Sequence, residues 1–429
     1  MAVLSKKITH IVDLLVVLVN IAAGRGNYLL FWFFHTEKTS NVLVYVILID
    51  ILYLFLRKFN YKNKIAIPTC VILTALLLLY NSINVSFRGQ NPSLYLLFII
   101  VIILFSLILQ KIISQILDNK IISHGQPIWE YSKGYVVLTM ISILGVIVTF
   151  TLLEAGFNAT YKLVEVDYLQ SHTERNQMHY WVFFSMCHVA ELIRVPFFQD
   201  FGQLNGLFHE PHIITLNVFP CLFLLLGFTK KRIHKWLLIG TIVLMILFTG
   251  STTNILVTLI CLVIYSFVNF RKHSIVVILD IALVVFLVYL YINNDDTLAQ
   301  VVLDRMSSDN YSQQWSRDLL SFAFTPKSLF GTNFLNTSNV LNETSKEDVG
   351  YIAFILNLLF IILYARNIIK LSKLKEKIPM AVAFASLYYI VHSAKVGMTM
   401  YIQTLPIFLL FLQVLVVIIY GRIRIITQN

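Results

Sequence analysis

Charge is what this sequence has little of. Only 13% of its 429 residues are Asp, Glu, Lys or Arg, where soluble domains carry roughly 25%. With 58% hydrophobic residues the chain lacks the polar groups to cover its apolar surface in water. The two or three soluble domains that its length would allow are therefore excluded. Disorder is excluded for the opposite reason, since nothing here is too polar to bury. Cysteine is scarce as well. The four, Cys70, Cys187, Cys221 and Cys261, lie in or beside apolar runs without paired spacing, which argues against a disulfide framework or a zinc site. Walker-type loops, Gly-x-Ser-x-Gly, dinucleotide fingerprints and internal repeats are also missing. What remains is a polytopic, all-α membrane protein.

A hydrocarbon core of about 30 Å needs roughly 20 apolar residues per helix. By that ruler candidate spans lie near 8–24, 41–56, 65–81, 94–110, 135–153, 211–228, 236–250, 253–270, 274–292, 350–365, 380–395 and 401–420, about twelve in all. Residues 27–34 are read as an extension of the first. Lys6 and Lys7 before Ile8–Gly24 imitate a signal peptide. A retained span is the better expectation, because further spans follow and no convincing small-residue cleavage site appears.

With the N-terminus in the cytoplasm, the inside segments collect twenty-two of the 33 basic residues and only Asp118, Glu130 and Glu376 of the acidic ones. The inverted topology would put the larger cationic share outside, against the positive-inside bias. Both termini are expected to be cytoplasmic, and the net charge of +11 is an orientation signal rather than a nucleic-acid footprint. The run Lys370–Lys377 reads as a solvated inner face beside anionic lipid. Asp50 and Asp280, inside spans, are expected to hydrogen-bond neighbouring helices, with a proton path as the alternative.

Two external segments, 154–210 and 293–349, are too long to be turns and are the natural place for function. Within the first, Tyr180–Phe201 is apolar, yet contains His188, Glu191, Arg194 and Asp200. A re-entrant or interfacial helix is the expectation there, because a further span would move the Lys230–Lys235 cluster outside. The most informative stretch follows: Arg194, a glycine turn, then Gly206-Leu-Phe-His-Glu-Pro211 opening a span. Pro211 suits a first helical turn, whose free N–H groups and dipole favour an anion. Arg194 can grip phosphate in a bidentate manner. Glu210 is a candidate general base, or else a charge at a helix N-terminus. Likewise Glu191 and Arg194 can simply neutralise each other. His209-Glu-Pro-His212 is not a zinc helix, since its spacing is wrong and Pro211 interrupts it.

Arg194 followed by Gly206-Leu-Phe-His-Glu-Pro211 resembles the external motif of Wzy-type O-antigen and capsular polysaccharide polymerases, within the O-antigen ligase-like superfamily. Thr249-Gly250-Ser251 resembles their Thr-Gly-Ser-Arg element, with Thr252 in place of the arginine. The second long segment carries Arg305, Trp315-Ser-Arg317-Asp318, Leu329-Phe-Gly331 and Asp348-Val-Gly350-Tyr351, and is similar to the family's second periplasmic loop. His392 and Lys395 echo a lysine near the outer end of a late helix. The likeness covers roughly 190–400, and its specificity comes from the order of the motifs.

The resemblance implies a glycosyltransferase in the bacterial inner membrane. Its substrates would be undecaprenyl-pyrophosphate-linked oligosaccharide repeat units, with a chain-length regulator as a further partner. The growing glycan would pass from its lipid pyrophosphate to the next lipid-linked repeat. Arg194, Arg305, Arg317 and Lys395, with the Gly206 turn, would bind and stabilise the departing pyrophosphate without a metal or other cofactor. Glu210, His209 or Asp348 would accept the proton of the attacking hydroxyl. Lys395 has a second reading as a side chain that snorkels outward. Two alternatives stay open, an O-antigen ligase and a flippase or secondary transporter.

Overall fold

The computed structural model describes residues 2–24, 28–57, most of 72–83, 93–118, 126–165, 179–188, 203–208, 211–228, 240, 351–374, 376–396 and 404–428. Helices dominate them: α1 (Ala2–Ala22), α2 (Leu29–Phe33), α3 (Thr39–Leu56), α4 (Ser93–Asp118), α5 (Gln126–Glu154), α6 (Pro211–Phe228), α7 (Tyr351–Ser372), α8 (Lys377–Val396) and α9 (Leu405–Gln428). Three stretches, Thr39–Leu56, Ser93–Ile116 and Gln126–Glu154, are long and apolar enough to cross a membrane. Shorter apolar stretches occupy α1, α6, α8 and α9. The predicted spans at 236–250, 253–270 and 274–292 lie outside the described residues, as does the second long segment.

The helices carry their apolar residues on the outside as well as the inside. On α5 the exposed positions Val137, Ile141, Leu144 and Val148 form one stripe at helical spacing. Its inward face holds Ser132, Thr139, Ser142 and Thr149, all buried. On α3 the exposed stripe is Leu48, Ile51, Leu52 and Phe55, opposite buried Val42, Leu43, Val46 and Asp50. In water such stripes would drive association; acyl chains solvate them without penalty. Inside, the hydroxyls use partners that a membrane helix can offer. Ser132 Oγ donates to Ile128 O at 2.7 Å and Thr139 Oγ1 to Tyr135 O at 2.9 Å, so each of these hydroxyls finds an acceptor within its own helix.

α6 and α9 are buried almost all round and form the centre of the bundle. α6 packs most extensively against α8, and the two run antiparallel. Phe219 stacks on Tyr388 with centroids 4.4 Å apart, and one turn on Phe223 meets Phe384 at 5.6 Å. A further turn on, Gly227 permits the closest approach: a Cβ there would lie 2.5 Å from Ala381 Cβ. Pro220 within α6 cannot donate to Leu216 O. The Tyr135 hydroxyl, from α5, donates to Asn217 O in that weakened turn.

One end of the bundle is held by charge. Buried Asp13 of α1 accepts hydrogen bonds from Tyr53 Oη at 2.7 Å and from Arg57 Nη2 at 2.6 Å. Lys111 Nζ, from α4, donates to the Arg57 carbonyl. His10 Nε2 lies 3.2 Å from Glu130 Oε2 at the start of α5. Arg57 and Lys111, counted by sequence among the inner cations, are thus also the fasteners of α1, α3 and α4.

Two expectations are corrected. Residues 27–34 do not extend α1: the chain turns after Ala22 and forms the separate helix α2, with Trp32 and Phe33 exposed. Nor is Tyr180–Phe201 a helix in its described part. Residues 179–182 and 185–188 are paired strands, favoured by the aromatic and β-branched side chains of His-Tyr-Trp-Val. The rest of that run, 189–201, lies outside the described residues.

Candidate functional site

The end of the bundle away from Asp13 carries a small antiparallel sheet, built from the first long segment. Its strands β1 (Lys162–Leu163), β2 (His179–Val182), β3 (Ser185–His188) and β4 (Gln203–Gly206) pair in sequence order. β2 and β3 are joined by Phe183-Phe184, with Phe183 at φ 47°. That left-handed conformation is uncommon for an aromatic residue, and the α5 helix beneath supports it. Phe184 N–H donates to Thr149 Oγ1 at 3.1 Å, and Gly145 leaves room for the Phe184 carbonyl, which any Cβ at 145 would strike.

β3 and β4 pair through His188↔Gln203, Cys187↔Leu204 and Met186↔Gly206, with an irregularity between Met186 and Cys187. The pair His188↔Gln203 closes the stem of the connection 189–202, which contains Arg194. Gly206 ends β4 at φ 61°. A side chain there would overlap the Ser142 hydroxyl and bring its Cβ to 2.6 Å from the Ser142 carbonyl oxygen. Glycine is therefore required twice over, for conformation and for space. The backbone beside it is fully engaged. Gly206 N–H donates to Ser185 Oγ at 2.8 Å, Leu207 N–H to Ser142 Oγ at 2.9 Å, and Phe208 N–H to Asn205 O at 3.0 Å. Tyr28 N–H donates to Leu207 O at 2.7 Å, and its ring lies 5.4 Å from that of Trp181. The turn after β4 is thus clamped from α5, from β3 and from the link between α1 and α2.

Three residues beyond Phe208, Pro211 opens α6 at the first helical position, where its missing N–H removes nothing. His209 and Glu210 fall between the two and lie outside the described residues. So do Arg194, Arg305, Arg317 and Asp348, together with Thr249-Gly250-Ser251. Lys395 is in the last turn of α8. The pairings Phe219–Tyr388 and Phe223–Phe384 define the register of α6 against α8. Because the two helices run antiparallel, the last turn of α8, with Lys395, lies toward the N-terminal end of α6. Of the residues singled out by sequence, the described structure places Gly206 in β4, which packs on α6, and Lys395 in the last turn of α8.

The residues that hold this arrangement, Ser142, Gly145, Thr149 and Ser185, were not singled out by sequence. Three of them carry a readable signal: Ser142, Gly145 and Thr149 recur at i, i+3 and i+7 on one helix, the small-residue face that lets another backbone approach. Cys187, 1% exposed in β3, has its thiol pushed up to about 12 by burial, so it is an inert packing group. Burial likewise raises the Tyr161 hydroxyl above its ordinary value, so it remains a neutral hydrogen-bonding phenol beside the sheet. No protein-family model, no curated protein and no solved structure matches the chain.

Proposed function

We propose that this chain is a membrane glycosyltransferase that polymerises lipid-linked oligosaccharide repeat units, of the O-antigen and capsule polymerase kind. The observation that carries the reading is the convergence at one end of the bundle. The Gly206 strand packs on α6 there, antiparallel packing directs the end of α8 that holds Lys395 toward the N-terminal end of α6, and the stem of the connection bearing Arg194 begins in the same sheet. A helix N-terminus, a lysine and an arginine suit a pyrophosphate. In the reaction, a hydroxyl of the acceptor repeat attacks the anomeric carbon at the reducing end of the growing glycan. The new glycosidic bond forms as the bond to the lipid pyrophosphate breaks. The hydroxyl proton passes to Glu210, His209 or Asp348, and Arg194, Arg305, Arg317 and Lys395 balance the charge left on the pyrophosphate.

The same reading includes about twelve spans, an estimate from apolar run lengths, both termini in the cytoplasm and two long loops on the outer face of the inner membrane. Its support is the distribution of basic residues and the apolar stripes of α3 and α5.

Deleting the gene and resolving surface polysaccharide on a gel tests the reading. Loss of a polymerase leaves single repeat units attached, while loss of a ligase leaves bare core with lipid-linked polymer accumulating. Loss of a flippase leaves unpolymerised units facing the cytoplasm. An unchanged ladder removes the enzyme reading. Arg194→Ala or Arg305→Ala should abolish polymer with the protein still in the membrane; normal chain lengths from both would take these arginines out of the site.

A further inference from the structure

In the interior of the bundle, two polar side chains face each other across α1 and α3. Asn20 and Asp50 are both completely buried, among Val16, Val17, Leu43 and Val46 of the same two helices, themselves buried. Asn20 Nδ2 donates to Asp50 Oδ1 at 2.7 Å and to Val16 O at 3.0 Å. Both partners of that nitrogen are acceptors, so the amide cannot be turned over without setting oxygen against oxygen. Its orientation is fixed. The two remaining atoms, Asn20 Oδ1 and Asp50 Oδ2, have no hydrogen-bond partner among the described residues. An ionised carboxylate would leave both as acceptors and place a full charge in an apolar interior on the strength of one hydrogen bond, which is prohibitive there.

A single proton resolves all of this. With hydrogen on Oδ2, Asp50 becomes a donor, and Asn20 Oδ1 is the acceptor that belongs to the other half of the same amide. A cyclic acid–amide pair of this kind would give each of the two remaining atoms a partner.

We propose that Asp50 is a proton-binding site of the membrane interior, held as a neutral carboxylic acid by the Asn20 amide and coupling α1 to α3. No cation competes for that role among the described residues. Arg57 of α3 lies two turns beyond Asp50, about 10 Å along the helix, and is engaged by Asp13 of α1, which also takes the Tyr53 hydroxyl. Lys111 of α4 donates to the Arg57 carbonyl, and His10 of α1 sits with Glu130. Tyr45 of α3 and Tyr95 of α4 are phenols rather than cations, and α2 carries no titratable side chain. Thr404, preceding α9, donates to the Asn20 carbonyl, so the pair also borders the central helix.

Infrared difference spectroscopy on the full chain in lipid nanodiscs tests the assignment. At neutral pH the wild type should show a protonated-carboxyl C=O band that shifts in D2O and vanishes in Asp50→Asn, which keeps the shape of the acid without its proton. Thermal stability should follow. Raising the pH far enough to remove the proton leaves a buried charge, so wild type loses stability relative to Asp50→Asn, and the two converge in mild acid. The proposal is overturned if the difference spectrum contains only carboxylate bands at neutral pH. It is equally overturned if sodium, compared with choline at equal ionic strength, stabilises wild type but not Asp50→Asn, since the site would then hold a metal cation rather than a proton.

Discussion

The two ends of this bundle are fastened by opposite means. At one, Asp13, Arg57 and Lys111, with the Tyr53 hydroxyl, bind α1, α3 and α4 through charged groups and their hydrogen bonds. At the other, the sheet is pressed onto α5 through Gly145, Gly206 and the hydroxyls of Ser142, Thr149 and Ser185, with no ion pair among the described residues. Long charged side chains tolerate adjustment but not the loss of a partner. A glycine contact tolerates nothing larger than hydrogen, yet leaves its surroundings electrically neutral. The neutral end is the one on which a highly charged pyrophosphate is proposed to bind.

The ionic end should be the more sensitive of the two to substitution. Asp13→Ala leaves the Arg57 guanidinium and the Tyr53 hydroxyl without their acceptor, with an expected loss of about 3–5 kcal/mol. Denaturant unfolding in detergent measures it. A loss under about 1 kcal/mol, the worth of an exposed pair, would mean that water already screens this cluster.

At the neutral end, Gly206→Ala adds a methyl group against Ser142 at a left-handed position and should destabilise by about 3 kcal/mol. Ser142→Ala removes the acceptor of the buried Leu207 N–H and should lose about 1–3 kcal/mol. Together the two should fall short of additive, because the second substitution removes the hydroxyl that the first one strikes. Full additivity in the same unfolding assay would show that the turn is not seated on α5.

The smallest effect is chemical. In a chain whose sole cysteine is Cys187, maleimide labelling at neutral pH should be very slow, since the thiol is buried and ionises only near pH 12. Raising the pH toward that value should speed it. Gly206→Ala should speed it at constant pH by lifting β4, whereas Asp13→Ala should leave it unchanged. Equal acceleration by both would mean that the two ends are one cooperative unit.

Much of the helical framework was legible. The predicted span 211–228 coincides with Pro211–Phe228, and 41–56 differs from Thr39–Leu56 by two residues, because a Pro at the first helical position and a break in hydropathy both mark helix ends. α4 and α5 are longer than predicted, reaching Asp118 and starting at Gln126. Hydropathy marks the depth of the lipid core, and these helices continue past it with polar faces turned inward. The Asp50–Asn20 contact matches the expectation that Asp50 bonds a neighbouring helix. Of the site, the Gly206 turn and the helix that follows were legible in Gly-Leu-Phe-His-Glu-Pro, and Lys395 in its place near a helix end. The hairpin was not. A tight turn is normally announced by Gly or Asn, and Phe183-Phe184 announces an apolar run instead.

Sequence by itself determined the class of this protein, the main helices and the sign of each segment's charge. Those follow from local composition, since an apolar run of sufficient length has one low-energy state in lipid. Only the tertiary structure decided that Tyr180 pairs in a strand, that Gly206 rests on Ser142 and that Phe219 stacks on Tyr388. These depend on which small residue of one helix meets which backbone of another, a match between distant segments that no local window contains.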